Sequence, residues 1–247
     1  MNTCQSKSKI SIKNISKHYN EVEVLKNISI DVYEGEFISI LGPSGCGKST
    51  IFNIISGLND YNGGNIDING KLSYMYQKDL LLPHKTIIDN VSLPLTLIKK
   101  KGFKSNSLKK REAHKIVAKY FSTFGLGGYE NKYPDELSGG MKQRANFLRT
   151  FITSNDIMLL DEPFGALDSI TKASMQEWLL DIRCKVNSTI LLITHDIDEA
   201  ILLSDRIYVI SQKPSIVKKE FKIDKSYYNH DKLENISRLK KDIIDLL

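Results

Sequence analysis

Apolar positions recur along this chain with two different periods, and the switches between them predict its layout. Ile10, Ile12 and Ile15, then Ile28, Ile30 and Val32, fall largely on alternate positions with turn residues between the two sets, which reads as antiparallel strands. Phe37-Ile38-Ser39-Ile40-Leu41 is a short unbroken apolar run, the mark of a buried strand, and the stretch from Ser49 to Ile55 reads as a helix ending at Gly57. Tyr61-Asn62-Gly63-Gly64 is a turn. Ile66 to Ile68 and Lys71 to Tyr76 are short strands, and the Asn69-Gly70 between them predicts a hairpin.

From about Leu80 to Thr153 the pattern is mostly helical, punctuated by Pro83 and Pro94 and broken at Gly125-Leu126-Gly127-Gly128. Strand and helix then alternate: Ile157 to Leu160, Ser169 to Arg183, Thr189 to Thr194, Asp196 to Leu203, and a last strand at Ile207 to Ser211. That order predicts an α/β fold with a parallel sheet, preceded by antiparallel β structure and interrupted by a helical insertion. In the tail, Leu233, Ile236, Leu239, Ile243 and Leu246 stand at roughly helical spacing and predict a docked amphipathic helix.

Composition narrows the class. The 247 residues, 41% of them hydrophobic, suffice for one large α/β domain or two small ones with a sizeable core. No apolar run approaches the roughly 20 residues of a bilayer span, and the first ten residues are too polar for a secretory signal, so the chain is expected on the cytosolic side. Cys4, Cys46 and Cys184 have no metal-ligand spacing, and an odd number argues against a disulfide framework. The net charge of +6 invites a nucleic-acid reading. However, Lys99 to Arg111 holds seven basic residues and no acid, so the rest of the chain carries 6 − 7 = −1. The basicity is one local patch, either a solvated loop between helices or a contact for anionic lipid headgroups.

The chemistry concentrates in three segments. Gly42-Pro43-Ser44-Gly45-Cys46-Gly47-Lys48-Ser49-Thr50 fits the phosphate-loop pattern G-x-x-x-x-G-K-[ST], between a strand and a helix as it should be. Its glycines let backbone N–H groups converge on a phosphate, and the helix N-terminus adds free donors and a positive dipole end. Lys48 would neutralise the β- and γ-phosphates, Ser49 would offer a hydroxyl to Mg²⁺, and Thr50 would reach the α-phosphate. Cys46, near a helix N-terminus, is expected to have a lowered pKa, so that alkylation would block ATP binding and ATP would protect. About 110 residues on, Ile157-Met158-Leu159-Leu160 ends in Asp161-Glu162: Asp161 is placed to hold Mg²⁺ through water, Glu162 to act as general base on a water. Between them, Leu137-Ser138-Gly139-Gly140-Met141-Lys142-Gln143-Arg144 puts a hydroxyl and bare N–H groups at another helix start.

With Asp161-Glu162-Pro163 and His195, this last segment strongly resembles the ATP-binding subunit of ATP-binding cassette (ABC) transporters, over about Ile10 to Ile210. The LSGG sequence sets it apart from kinases, GTPases and helicases. The resemblance implies a P-loop NTPase (RecA-like) core with an N-terminal antiparallel β subdomain and an inserted α-helical subdomain at about 80–153, the cassette covering 8–230 and the amphipathic helix 231–247. It further implies that Tyr19 stacks on adenine and that Gln77 senses Mg²⁺ and the γ-phosphate. Ser138, Gly139 and Gly140 close on the γ-phosphate of the opposite protomer, Asp168 communicates across the dimer, and His195 is the switch histidine. Trp178 is expected in helix packing, and His18, His84, His114 and His230 have no matching motif.

Leu81-Leu82-Pro83-His84 and Glu162-Pro163-Phe164-Gly165-Ala166-Leu167-Asp168 are similar to the importers of nitrate, sulfonate, taurine and pyrimidine precursors, where Trp is more usual at the position of His84. Gly64 to Gln77 is shorter than usual in that family. Asn146, Phe147 and Thr150 replace small residues and open a question about helix packing. The resemblance therefore implies an ATPase subunit of an importer, with ATP and Mg²⁺ as cofactors. Its partners would be separate transmembrane permease subunits, a second ATPase subunit and an extracytoplasmic solute-binding protein, with no nucleic acid, and it would lie peripherally on the cytoplasmic face of the membrane. An exporter ATPase, or a soluble ABC ATPase acting on DNA or ribosomes, is the alternative.

Overall fold

Alternating isoleucines turn one face of the first two strands inward. In a computed structural model that describes residues 7–97, 108–223 and 233–247, β1 (Ser8–Tyr19) and β2 (Val22–Tyr33) pair antiparallel, with Ile12 opposite Ile30 and Ile15 opposite Ile28. The chain then leaves for a second sheet through β3 (Phe37–Leu41), continues into α1 (Lys48–Ile55), and returns to the free edge of β1 as β4 (Gly63–Ile68). β5 (Leu72–Met75) crosses back to the second sheet.

The Asn69-Gly70 hairpin is therefore not formed. β4 pairs with β1 and β5 runs parallel to β6 (Ile157–Asp161), so Asn69-Gly70 is a corner between two sheets. Asp156 makes the corner: one carboxylate oxygen accepts the Lys71 N–H (3.1 Å) and the other the Lys9 ammonium (2.7 Å). A Cβ on Gly70 would lie 2.4 Å from the Asp156 carboxylate, so the glycine serves close approach and not a tight reversal.

The helical insertion comprises α2 (Ile87–Leu97), α3 (Lys110–Phe121) and α4 (Gly139–Thr153), with Pro94 inside α2. The chain continues through β6, α5 (Ser169–Val186), β7 (Thr189–Thr194), α6 (Ile197–Leu203) and β8 (Arg206–Ile210). One further strand, β9 (Val217–Lys222), pairs antiparallel with β8. Sequence reasoning ended the sheet at β8. β9 is an edge strand with one buried side chain, Phe221, among lysines and a glutamate, so it lacks a clean apolar period.

The second sheet has the order β5-β6-β7-β3-β8-β9, parallel up to β8. One face packs against the three-stranded sheet and α1 through Ile38, Ile40, Phe52, Leu159 and Ile193. The other packs against α4 and α5 through Phe37, Met158, Leu160, Ile190 and Leu192. Burial on both faces is why these strands are continuously apolar. α7 (Leu233–Ile244) docks by its predicted stripe: Ile243 is fully buried and Leu239 and Leu246 pack beside it against Ile201 and Val209. The helix-packing question also resolves. Phe147 joins Phe124 and Trp178 in an aromatic cluster, the Asn146 side-chain oxygen accepts from Arg149 (2.7 Å), and Thr150 donates to the Asn146 backbone carbonyl (2.9 Å). No helix among the described residues is long and apolar enough to cross a membrane.

Candidate functional site

The sheet order puts the phosphate loop where one strand end carrying two acids and a histidine after another strand reach it. β3 lies between β7 and β8, and β6 is one strand further on, so the C-terminal ends of β3, β6 and β7 line one crevice. Gly42 to Gly47 curl over the end of β3. Gly47, at φ +112°, turns the chain into α1, a conformation that a β-carbon would strain. Lys48 is buried, and its ammonium donates to the carbonyls of Gly42 (2.7 Å) and Pro43 (2.9 Å). Ser44 and Gly45 are exposed at the loop tip. Gly45, Gly47, Lys48, Ser49, Thr50 and Glu162 line a cavity of about 210 Å³, together with Lys213.

Asp161 ends β6 with its carboxylate held from two sides: the Ser49 hydroxyl donates to Oδ1 (3.3 Å) and the Tyr74 hydroxyl to Oδ2 (3.1 Å). Burial pushes Asp161 up from the usual carboxylate range, opposed by those two hydrogen bonds. Burial, with the Asp161 charge beside it, also pushes the Tyr74 phenol up, so it stays a donor. Hard oxygen donors at Ser49 and Asp161, with open space toward the loop, suit Mg²⁺ completed by phosphate and water.

Glu162 follows with φ +44°, an orientation fixed by its N–H donating to Ile193 O (3.0 Å). Its Oε2 accepts from Gln77 Nε2 (3.3 Å) and lies 3.3 Å from His195 Nδ1. The three residues predicted as catalytic thus meet at one carboxylate oxygen. His195 is half exposed and Glu162 18% exposed, so a water or phosphate can reach the pair.

Tyr19 stands exposed at the end of β1, its hydroxyl accepting from Asn59 (2.8 Å) and its ring carrying the Lys17 ammonium 4.9 Å from the centroid. The signature residues lie elsewhere. Ser138 and Gly139 are exposed, Ser138 caps α4 by accepting from Met141 N (3.4 Å), and Gly140 is buried against Thr171 of α5. Asp168 caps α5, accepting from Ile170 N (3.2 Å) and Thr171 N (3.0 Å); the hydrogen bonds to Thr171 hold its carboxyl below the ordinary range.

One expectation fails. Cys46 is buried, and burial pushes its thiol up, not down; Lys48 only partly offsets this. A buried thiol of raised pKa is a poor alkylation target. Of the unmatched histidines, His114 lies 2.7 Å from Asp89 and His18 3.8 Å from Glu23, while His84 is exposed. His230, Cys4 and most of the Lys99 to Arg111 patch lie outside the described residues; at its end, Lys110 pairs with Asp89 (2.9 Å). Sequence reasoning missed Tyr74, Arg149 and Lys213. Arg149 donates to the carbonyls of Asp79 (2.9 Å) and Leu80 (2.8 Å), tying the segment after Gln77 to α4. None of the three belongs to a short motif.

Residues 25–165 match the ABC transporter family. The chain belongs to that family. It is 49% identical over 193 residues to the formylaminopyrimidine import ATP-binding protein ThiZ of Halalkalibacterium halodurans, covering 77% of this chain and 74% of that one. It is 36% identical over 247 residues to an aliphatic sulfonates import ATP-binding protein SsuB of Bacillus cereus, covering 95% and 94%. A dimeric ABC transporter cassette aligns at TM-score 0.71 and 30% identity, over 87% of this chain and 99% of that chain. A dimeric post-hydrolysis cassette bound to ADP and phosphate aligns at TM-score 0.70 and 31% identity, over the same shares. The fold is that of a P-loop NTPase cassette, and the chain is an ABC-type ATPase.

Proposed function

We propose that this ABC ATPase is the energising subunit of an importer, working as a head-to-tail dimer beneath separate permease subunits. The observation that carries the reading is the division of the site. The phosphate loop, Asp161, Glu162, Gln77 and His195 share one crevice, whereas Ser138 and Gly139 face outward on α4. A second copy, turned head to tail, would bring its Ser138-Gly139-Gly140 over the first copy's loop, so that two nucleotides lie between two chains.

Within each site, Tyr19 would stack on adenine. The backbone from Gly42 through Pro43, Ser44, Gly45 and Cys46 to Gly47 would cradle the phosphates with Lys48 and Thr50. Ser49, Gln77 and Asp161 would hold Mg²⁺, which supplies charge neutralisation on the β- and γ-oxygens when bound. Glu162 would orient a water and take its proton, while Gln77 and His195 fix the carboxylate and His195 donates toward the γ-phosphate. Asp168 would carry the state of one site to the other. Loss of the γ-phosphate contacts would let the dimer open.

The importer assignment draws support from the relatives named for import of formylaminopyrimidine and aliphatic sulfonates. It carries with it a peripheral position on the cytoplasmic membrane face and a solute-binding protein outside. In domain terms, 8–230 would form the cassette, with the helical subdomain at about 80–153 and 231–247 as a C-terminal addition. The test is affinity purification of the tagged chain from gently solubilised native membranes. A multi-span membrane protein at near-equal stoichiometry is expected. Ribosomal proteins, nucleic acid or no partner would overturn the importer reading while leaving the ATPase intact.

A further inference from the structure

The phosphate-loop cavity has one wall that no motif announces. Beyond β8 the chain turns through Ser211 to Ile216 and doubles back over the outside of the loop. Ser215 pins this turn. Its N–H donates to Val24 O (3.0 Å), its carbonyl accepts from Lys26 N (2.9 Å), and its hydroxyl donates to the Cys46 carbonyl. Ser215 is fully buried, so the turn is fixed to the loop from within. Two residues earlier, Lys213 is exposed and lines two neighbouring cavities. One is the 210 Å³ space bounded by Gly45, Gly47, Lys48, Ser49, Thr50 and Glu162; the other, of about 240 Å³, is bounded by Ser44, Gly45, Cys46 and Gln212.

We propose that Lys213 is a second cation of the nucleotide site, its ammonium reaching the polyphosphate from the β8 side of the loop while Lys48 reaches it from the helix side. The geometry favours this over a solvated surface lysine. The residue rides on a turn anchored by a buried hydrogen bond to the loop, and the cavity it lines is the one a polyphosphate would enter. Lysine is suited to the place: a compact charge on a flexible stem can follow a phosphate chain without a fixed fork. The β- and γ-phosphates bring most of the negative charge, so Lys213 acts chiefly on ATP and ADP and little on AMP.

The inference rests on the phosphate-loop reading, and the experiment separates the two. Binding of ATP, ADP and AMP with Mg²⁺ is measured on the full chain by displacement of a fluorescent nucleotide, at about 50 mM and about 300 mM salt. The proteins are the unsubstituted chain, Lys213→Ala, Lys213→Glu, Lys213→Arg and Lys48→Ala. Lys213→Ala is expected to weaken ATP binding about 3- to 10-fold and Lys213→Glu more, with Lys213→Arg within about twofold of the original. The loss should shrink from ATP to AMP and at the higher salt, and the melting temperature without nucleotide should not move. ATP affinity unchanged in both Lys213→Ala and Lys213→Glu, with Lys48→Ala impaired, overturns the role of Lys213 alone. An equal loss for ATP and AMP also overturns it, because that marks a structural effect. Unimpaired binding by Lys48→Ala overturns the phosphate-loop reading itself.

Discussion

The proposed nucleotide site draws on two helix N-termini, and they are built in opposite ways. α1 begins at the edge of the core: Gly47 has no side chain to cap it, Lys48 is buried while Ser49 stays exposed, and the turn around Ser215 clamps the loop from behind. Its N–H groups are left for a ligand. α4 begins at the surface, where Ser138 satisfies one of its own N–H groups and Gly139 is open to solvent. The first terminus is preorganised by the chain that owns it. The second offers a hydroxyl and backbone to something outside that chain. On the proposed reading the first binds phosphate within one chain and the second only across the dimer.

Mixing two defective proteins would break this comparison outright. Lys48→Ala disables the buried terminus and Ser138→Arg the exposed one, so each alone should lose nearly all ATP hydrolysis. In an equal mixture half the dimers are mixed, and each has one site carrying both defects and one carrying neither. Roughly a quarter of all sites, counted over all dimers, are then intact, and hydrolysis should return toward that fraction. A mixture as inactive as its parts would mean that each site is completed within one chain. Within the buried half, Glu162→Gln keeps the shape and removes the base. It should bind ATP normally and slow turnover by about 10²- to 10⁴-fold in a steady-state phosphate-release assay.

Smaller effects sharpen the boundary. Tyr74→Phe leaves one oxygen of the buried Asp161 without its donor. A stability loss of about 1–3 kcal/mol in urea unfolding and a higher Mg²⁺ requirement for hydrolysis are expected, with ATP affinity in the absence of Mg²⁺ unchanged. The smallest effect is a pH dependence where α5 meets α6. Lys172 of α5 contacts Asp196 (2.6 Å) and Glu199 (3.2 Å) of the α6 segment, and burial pushes Glu199 up to about 7. The folded state thus holds a proton on Glu199 that the unfolded chain, near the usual glutamate value of 4.5, has released. This contribution to stability is full at low pH and is lost as pH rises from about 4.5 to about 7. Melting curves between those pH values should show the decline, and Glu199→Gln should remove that part of it.

The buried terminus was largely legible in the sequence, because phosphate chemistry dictates residue types at fixed spacing: Gly42 to Thr50, Asp161, Glu162. The exposed one was legible only through resemblance, since Ser138-Gly139-Gly140 is just a capped helix start by itself. Support residues stayed hidden for a different reason. Tyr74 alternates like any strand aromatic, and only the parallel pairing of β5 with β6 brings its hydroxyl under Asp161. The Asn69-Gly70 signal misled because local turn propensity competes with a distant partner, and Asp156, far along the chain, decides the outcome. Cys46 departs from the expectation because burial outweighs its proximity to a helix start.

The sheet order also sets a timetable. β3, the strand that carries the phosphate loop, has β7 and β8 as its only sheet neighbours, and the first of these begins at Thr189. During synthesis the ribosome must add about 150 residues after Leu41 before Phe37-Ile38-Ser39-Ile40-Leu41 has a strand to pair with, a wait of about 8–30 s at ordinary elongation rates. For that interval the strand that carries the phosphate loop can pack one face on β1, β2 and α1, but a chain stalled before Thr189 leaves both of its hydrogen-bonding edges open.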